Sequence, residues 1–335
     1  MFDPFFENLH INFNSPDTVG AGLGQAYLLT SSDQLVATSN ALGGPGQSGV
    51  AAAGGVSPAS TLVGNPHGLE INLIWDSSVT SAQNWQSIES SVVSAAKIFT
   101  NLFHNHDILN IAVGFGEVAG SALAPGALGE SESFAYLVPN DGTINAALAA
   151  ADAGLVHIGV MAPDATSALE GVPNSDFIIT SANAKALGLV DPTAGLDGFI
   201  GLSDTAPISF GQIVPSGSQY DAIGLAAHEL SEVMGRIGLA GASLDGVNSF
   251  YTPLDVFRYT APGTPDLAPS AGYFSLNDGF TQILPFNDPN NGGDAADWAT
   301  APVTRHNAFD AFASTGPAVV TGADLLTMAA LGYRG

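Results

Sequence analysis

The stretch from residue 69 to residue 115 constrains the fold most strongly, because its apolar pattern changes from strand to helix and back. Residues 69–75 alternate apolar and polar side chains, as a half-buried strand does. Residues 85–103 carry apolar side chains at helical spacing and predict a long amphipathic helix. Residues 108–115 are a second apolar strand. A strand–helix–strand unit this short predicts two parallel strands joined by a right-handed crossover.

The rest of the chain adds shorter elements around this unit. We expect an edge strand at 134–138, further strands at 177–180 and 198–202, a buried helix at 220–236, and helices at 143–153, 182–187 and 321–331. Residues 1–68 are rich in Gly, Ser and Ala and predict a loosely structured N-terminal extension with one strand near 25–30. The pattern therefore predicts an α+β fold for residues 69–335, with a twisted mixed sheet, a long helix and a second buried helix.

The charge balance excludes several classes of partner. The chain has 6 Lys and Arg against 31 Asp and Glu, which gives a formal net charge of −25. Such a surface repels phosphate backbones, so we expect no nucleic-acid binding. It also repels anionic membrane surfaces. Acidic loops, in contrast, suit calcium binding.

The absence of Cys narrows the metal chemistry. With no thiolate available, the strong zinc ligands left to the chain are His, Asp and Glu. Disulfide bonds are excluded as well. The chain must therefore be stabilised by its core, by hydrogen bonds or by bound ions.

The N-terminal residues lack the features of a secretory signal. The first basic residue is Lys97, and residues 1–7 contain neither a positive segment nor the apolar run that must follow it. No apolar run reaches membrane-spanning length, so we expect no membrane insertion. An acidic, Lys-poor, Cys-free composition resembles that of bacterial proteins exported through type I machinery. Composition thus predicts an extracellular location, with a cytosolic one as the alternative.

The helix predicted at 220–236 carries the residues with the clearest chemistry. His228 and Glu232 are four residues apart, so both side chains face the same side of a helix and can reach one ion. Zinc accepts an imidazole nitrogen and a carboxylate oxygen at similar distances. Glu229 is rotated by about 100° on the helix, where it can approach a water molecule and act as general base. A third ligand must come from elsewhere in the chain.

The alternative interpretation is structural. A His and a Glu at this spacing can form a surface ion pair worth a few tenths of a kcal/mol. However, the neighbours Ala226, Ala227, Leu230, Val233 and Met234 are all apolar, which indicates a buried helix. Gly235 follows where the chain can turn sharply. These features favour a metal site over a solvated ion pair.

The segment resembles the metzincin motif H-E-x-x-H-x-x-G-x-x-H. His228, Glu229 and Gly235 match this motif, Glu232 replaces its second His, and Gly238 stands in place of its third His. More closely, residues 69–335 are similar to a group of bacterial proteins, inferred to be metalloproteases, that carry H-E-[IL]-S-E-V-M-G-R. The resemblance implies a zincin-like fold of the metzincin type and a zinc ion held by His228 and Glu232.

The resemblance also implies a third ligand downstream of this helix. Asp255 is our predicted ligand, because its segment loosely resembles the downstream Asp ligand of aspzincins and stands where metzincins have their Met-turn. An ion pair with Arg258, or a turn cap, is the alternative role for Asp255. His306 is the second candidate ligand.

The composition of the loop at residues 288–297 suggests a second ion site. Five residues could supply calcium with oxygen ligands, although their spacing does not match an EF-hand: Asp288, Asn290, Asn291, Asp294 and Asp297. A plain turn is the alternative for this loop.

Two functions follow from the sequence. The first is zinc-dependent hydrolysis of a protein or peptide substrate, with Glu229 as general base and the edge strand at 134–138 binding an extended peptide by strand addition. The second is a non-catalytic extracellular structural protein on a zincin scaffold, capable of self-assembly. Loss of two His ligands relative to the metzincin motif favours this second interpretation.

Overall fold

The computed structural model describes residues 26–30, 35–37, 59–140, 142–152, 175–193, 195–244, 248–268, 270–300 and 306–335. Within them, the protein is a mixed α/β fold built on one large mixed sheet. Six α-helices occur in this part of the chain: α1 (Ser77–Thr80), α2 (Trp85–Thr100), α3 (Thr143–Asp152), α4 (Ser181–Ala186), α5 (Ala222–Val233) and α6 (Gly322–Ala330).

The large sheet has ten strands: β1 (Ala26–Thr30), β2 (Leu35–Ala37), β3 (Ser60–Gly64), β4 (Glu70–Trp75), β5 (Ile108–Phe115), β8 (Gly129–Pro139), β9 (Ser175–Thr180), β10 (Gly198–Leu202), β13 (Ala242–Leu244) and β14 (Asn248–Tyr251). Their order is β13-β14-β9-β8-β10-β5-β4-β3, and β1 pairs with β8 and β2. β4, β5 and β10 are parallel neighbours. The strand–helix–strand prediction is confirmed to this extent: β4 and β5 are adjacent, parallel and joined through α1 and α2.

Smaller strands complete the described part. β6 (Glu117–Val118) and β7 (Ser121–Ala122) form a short antiparallel pair. β11 (Ile208–Ser209) and β12 (Tyr220–Asp221) form a short parallel pair. A four-stranded sheet joins β15 (Arg258–Ala261), β16 (Thr264–Pro265), β17 (Tyr273–Phe274) and β18 (Leu284–Pro285). Short 3-10 helices lie at Pro253–Phe257 and Pro289–Asn291.

The main core lies between the sheet and the helices. α2 packs against α5, and α5 also contacts β8 and β10. α2 buries Ile88, Val92 and Phe99, because these residues recur on one face of the helix. α5 is buried along most of its length. This packing fixes α5 against the centre of the sheet.

Two sequence predictions differ from the structure. The strand predicted as an edge at 134–138 is the longer β8, and it is central, with β10 and β9 on one flank and β1 on the other. Residues 134–138 are all apolar, and this run gave no information about which strands flank them. The predicted boundary at residue 69 falls inside the sheet, since β3 pairs antiparallel with β4.

None of the helices in the described ranges combines the length and the apolar character needed to cross a membrane.

Candidate metal centre

The helix α5 begins and ends with defined caps. Asp221 caps its N-terminus by accepting a hydrogen bond from the amide of Ile223 (3.0 Å). At its C-terminus the amide of Gly235 donates to the carbonyl of Glu232, and the amide of Arg236 donates to that of Ser231. These two bonds form a Schellman motif, and its left-handed position is Gly235, with φ +109°.

This turn brings the residue after Gly235 back beneath the helix. The Nε atom of Arg236 donates to the hydroxyl of Ser231 (2.7 Å), and that hydroxyl donates to the carbonyl of His228 (2.6 Å). An added Cβ at Gly235 would lie 2.7 Å from the Cβ of Asn183, so the close packing of the turn also requires glycine. The sequence from His228 to Arg236 thus folds into one local unit.

Three acidic or imidazole side chains converge at this unit. The Nε2 atom of His228 lies 3.1 Å from Oε1 of Glu232 and 3.4 Å from Oδ1 of Asp297. Within the described ranges, these three residues form the one group of His, Asp and Glu whose potential ligand atoms all lie within 4.8 Å of one another. The loop before Trp298 therefore supplies a third donor to the pair on α5.

Neighbouring groups hold these donors in place. The Nδ1 atom of His228 lies 2.8 Å from the carbonyl of Ala308, so a proton on Nδ1 directs Nε2 towards the two carboxylates. The hydroxyl of Ser131, on β8, donates to Oε2 of Glu232 (2.8 Å) and leaves Oε1 facing His228. Both contacts are of the kind that orient the ligands of a metal ion.

A buried arginine balances the charge of the cluster. Arg236 is fully buried, pairs closely with Asp297, and has Nη2 3.4 Å from Oε1 of Glu232. Its guanidinium also lies 4.5 Å from the ring centroid of Phe309. Buried charges require such partners, because their loss of hydration must be offset.

The pKa values in the cluster reflect these charges. Burial lowers the pKa of His228, but the carboxylates of Asp297 and Glu232 outweigh it and raise the pKa to about 10. Burial alone raises the pKa of Glu232, whereas His228 and Arg236 stabilise its carboxylate and bring its pKa to about 2. A proton on His228 and a divalent cation would therefore compete for the same place.

Glu229 lies beside this cluster but faces β8. It is 5% exposed, and an added Cβ at Gly129 would lie 2.5 Å from its Oε1 atom. Burial, followed by the neighbouring Glu232 carboxylate, raises the pKa of Glu229 well above its ordinary value. The carboxyl group is thus in contact with the backbone of a strand and with one member of the cluster.

The structure places the predicted ligand Asp255 elsewhere. Its Oδ2 atom accepts hydrogen bonds from the backbone amides of Leu239, Ala240 and Thr252, at 2.8–3.0 Å. It is also part of a capping box with Thr252, and its Oδ1 lies 3.9 Å from Nε of Arg258. Asp255 lies here because the backbone amides of this turn need a hydrogen-bond acceptor. Its contacts are those of a turn cap, the alternative role considered for it. Asp297 takes the third place in the cluster.

Apart from Asp297, the other candidate ligands lie outside the cluster. His306 is exposed at a shallow pocket beside Tyr220 and Leu225. In the loop considered for calcium, Asn287 and Asn291 exchange side-chain hydrogen bonds (2.7 and 2.9 Å), and Asp288 caps the short 3-10 helix. These contacts are those of a turn, and the calcium site stays a prediction.

From the sequence, Asp297 was a candidate ligand for calcium only, and Arg236 had no predicted role. In the structure, Asp297 directly precedes Trp298, and both side chains are buried. A buried carboxylate needs a charged partner. For Arg236 the signal was its place directly after the helix-ending glycine.

Comparisons with protein-family models, with curated proteins and with solved structures return no match to this chain.

Proposed function

We propose that this protein is a zinc-dependent peptidase in which His228, Glu232 and Asp297 hold the metal ion and Glu229 acts as general base. The observation that carries the proposal is the convergence of three donor atoms, which all lie within 4.8 Å of one another. Ligands about 2.0 Å from a tetrahedral zinc ion stand about 3.3 Å apart. The separations of 3.1 and 3.4 Å from Nε2 of His228 match this spacing.

The donor set fits zinc chemically. One imidazole nitrogen and two carboxylate oxygens are accepted ligand types, and three protein ligands leave one position for water or substrate. When bound, zinc supplies a Lewis acid that polarises a carbonyl group and acidifies water. The residues around it supply orientation: Ala308 fixes the ring of His228, and Ser131 fixes the carboxylate of Glu232.

Two neighbours of Glu229 support its proposed role as general base. Its carboxylate is buried next to Glu232 and against the backbone of Gly129. In the proposed reaction, an oxygen of Glu229 takes a proton from the attacking water and delivers it to the nitrogen of the leaving amine.

We further propose a zincin-like fold. In support, a long helix (α2) and the helix that carries the motif (α5) pack together against the sheet, and a glycine ends α5. The 3-10 helix at Pro253–Phe257 follows α5 in the chain, where a metzincin has its Met-turn. An extracellular location belongs to the same proposal and rests on composition alone.

The rival function is a non-catalytic structural protein on the same scaffold. Arg236 favours it, because this buried cation already balances Glu232 and Asp297 without any metal ion. Under this alternative, His228 is the protonated member of a buried ion-pair network. The two functions therefore differ in metal content and in hydrolysis.

The Glu229→Gln variant separates them. We expect it to retain zinc and the melting temperature of the intact protein, while hydrolysis of an unstructured protein substrate falls by a factor of about 10² to 10⁴. Glu89→Gln, on α2 and outside the cluster, is the matched control and should hydrolyse normally. Equal hydrolysis by Glu229→Gln would end the proposed mechanism, and an intact protein without zinc or hydrolysis would favour the structural rival.

A further inference from the structure

The strand β8 is the part of the sheet that reaches the candidate site. Ser131 donates to the Glu232 carboxylate, and the backbone of Gly129 lies against Glu229. The first residues of β8 therefore run directly past the two carboxylates of α5. An extended peptide lying along this end of β8 would pass the general base.

One flank of β8 is filled by two strands of the sheet. β10 pairs with residues 129–133, and β9 pairs with residues 135–139. The opposite flank carries β1, since Glu132 and Ser133 pair with both β10 and β1. A strand residue has one neighbour on each side, so β1 must lie across from β10.

β1 stops just before the catalytic end of β8. Its register runs antiparallel from Ala26 opposite Tyr136 to Thr30 opposite Glu132. On this flank, no strand of the described ranges pairs with residues 129–131. β1 thus covers the part of this edge that leads up to residue 131, and its own pairing ends at Glu132.

The attachment of β1 depends on β8. Its only other strand partner among the described residues is β2, which pairs through three residues. A two-stranded unit of this size is at best marginally stable alone. Main-chain hydrogen bonds to β8 do not depend on side-chain identity, so another extended chain can take the place of β1.

We propose that β1 occupies a strand-addition site for extended polypeptide, and that a substrate paired with residues 132–136 must displace β1 on its way along β8 to Glu229; the link to catalysis rests on the proposed peptidase function. The partner is an unfolded or extended polypeptide segment that pairs antiparallel with residues 132–136. The chain thereby carries its own competitor for the peptide-binding edge. Displacement of β1 regulates access to the site.

A reversible lock tests this inference, because the chain has no Cys of its own. The opposite pairs Leu29→Cys/Ser133→Cys and Thr30→Cys/Glu132→Cys belong to the two alternating pairing types of an antiparallel ladder, so one of them has the shorter Cβ spacing that a disulfide needs. Failure of both pairs to oxidise would show that β1 does not lie on β8 and would overturn the inference.

The readout is binding of a fluorescent synthetic peptide with the sequence of residues 24–32, measured by anisotropy in the Glu229→Gln background. We expect the reduced protein to bind the peptide and the oxidised protein to bind it at least about tenfold more weakly, because locking β1 removes the binding-competent state. The double variant Tyr27→Pro/Leu28→Pro removes one backbone N–H donor on the β8 side of β1 and one on the β2 side. This variant should bind the peptide about tenfold more tightly than the protein with unsubstituted β1.

The outcomes separate the two proposals. Equal binding by oxidised and reduced protein, or no binding even by the proline variant, overturns the strand-addition site whatever the enzyme does. Peptide binding that obeys the lock, together with an intact protein that hydrolyses nothing, supports the strand-addition site and overturns the peptidase.

Discussion

The Nε2 atom of His228 lies 3.4 Å from Oδ1 of Asp297, although one residue is on α5 and the other lies in the loop-rich segment before α6. This contact makes a three-donor cluster out of a two-residue motif. It also brings Arg236 into the site, since the same Asp297 oxygen is its ion-pair partner. The properties of the cluster therefore depend on two residues besides the His and Glu residues of α5.

Substitution of Arg236 should raise the affinity for zinc while lowering stability without it. Arg236→Met leaves Glu232 and Asp297 without their buried cation, which costs about 3–5 kcal/mol in the metal-free protein. A divalent cation then replaces the lost charge. We expect zinc to raise the melting temperature of this variant more than that of the intact protein.

Arg258→Met is the matched control for this experiment. Arg258 is also fully buried, pairs with Asp266 (3.2 Å) and lies over the ring of Phe286, but it is not in the cluster. It should lose stability to a similar extent without any extra gain from zinc. An equal zinc shift in both variants would contradict the proposed role of Arg236.

Gly129→Ala should impair hydrolysis without loss of metal. The added methyl group would lie 2.5 Å from Oε1 of Glu229 and must push that side chain from its place. The ligands themselves are untouched. We expect a fall in kcat with zinc content retained, whereas Gly217→Ala, where nothing lies within 4 Å, should behave as the intact protein. Unchanged kcat in Gly129→Ala would argue against Glu229 as the base.

Gly235→Ala should destabilise the protein more than another left-handed glycine does. Gly235 has φ +109°, and a Cβ added there would lie 2.7 Å from the Cβ of Asn183. Alanine therefore meets both backbone strain and a clash. We expect a loss of about 3 kcal/mol in denaturant unfolding. Gly292 has φ +88° and open space around it, so Gly292→Ala should lower the free energy of unfolding by only about 1–2 kcal/mol. Similar losses at both positions would refute the close packing of the turn.

Glu132 should make the protein less stable as the pH rises. Burial, together with the carboxylates of Glu130 and Glu117, raises the pKa of Glu132 from 4.5 to about 7. Between these values the folded state binds more protons than the unfolded state, so the free energy of unfolding falls as the pH rises from about 4.5 to about 7. Glu132→Gln should remove this slope and be the more stable protein at pH 8. Parallel stability curves for the two proteins would contradict the shift.

Much of the fold was predictable because it depends on local periodicity. The strand predicted at 108–115 is β5 and the one at 198–202 is β10, with the same limits. The long helix predicted at 85–103 is α2, which ends three residues earlier. The sequence could not provide the order of the strands across the sheet. The apolar run at 134–138 was predicted as an edge strand, whereas β8 is central.

The candidate site was also predictable only in part. His228, Glu229 and Glu232 share one helix, so their relative positions follow from helical geometry. Asp297 reaches them through the path of a long loop-rich segment, which no spacing rule encodes. Asp255 satisfied the requirement for a downstream acid, but backbone amides of its own turn engage its carboxylate.

The most direct test of the metal centre is the zinc content of protein purified without chelator, measured by inductively coupled plasma mass spectrometry. The proposal predicts about one zinc ion per chain in the intact protein and in Asp288→Asn, a surface substitution in the preceding loop, and far less than one in folded Asp297→Asn. A folded Asp297→Asn variant that keeps its zinc, or an intact protein that contains no transition metal, would contradict the account.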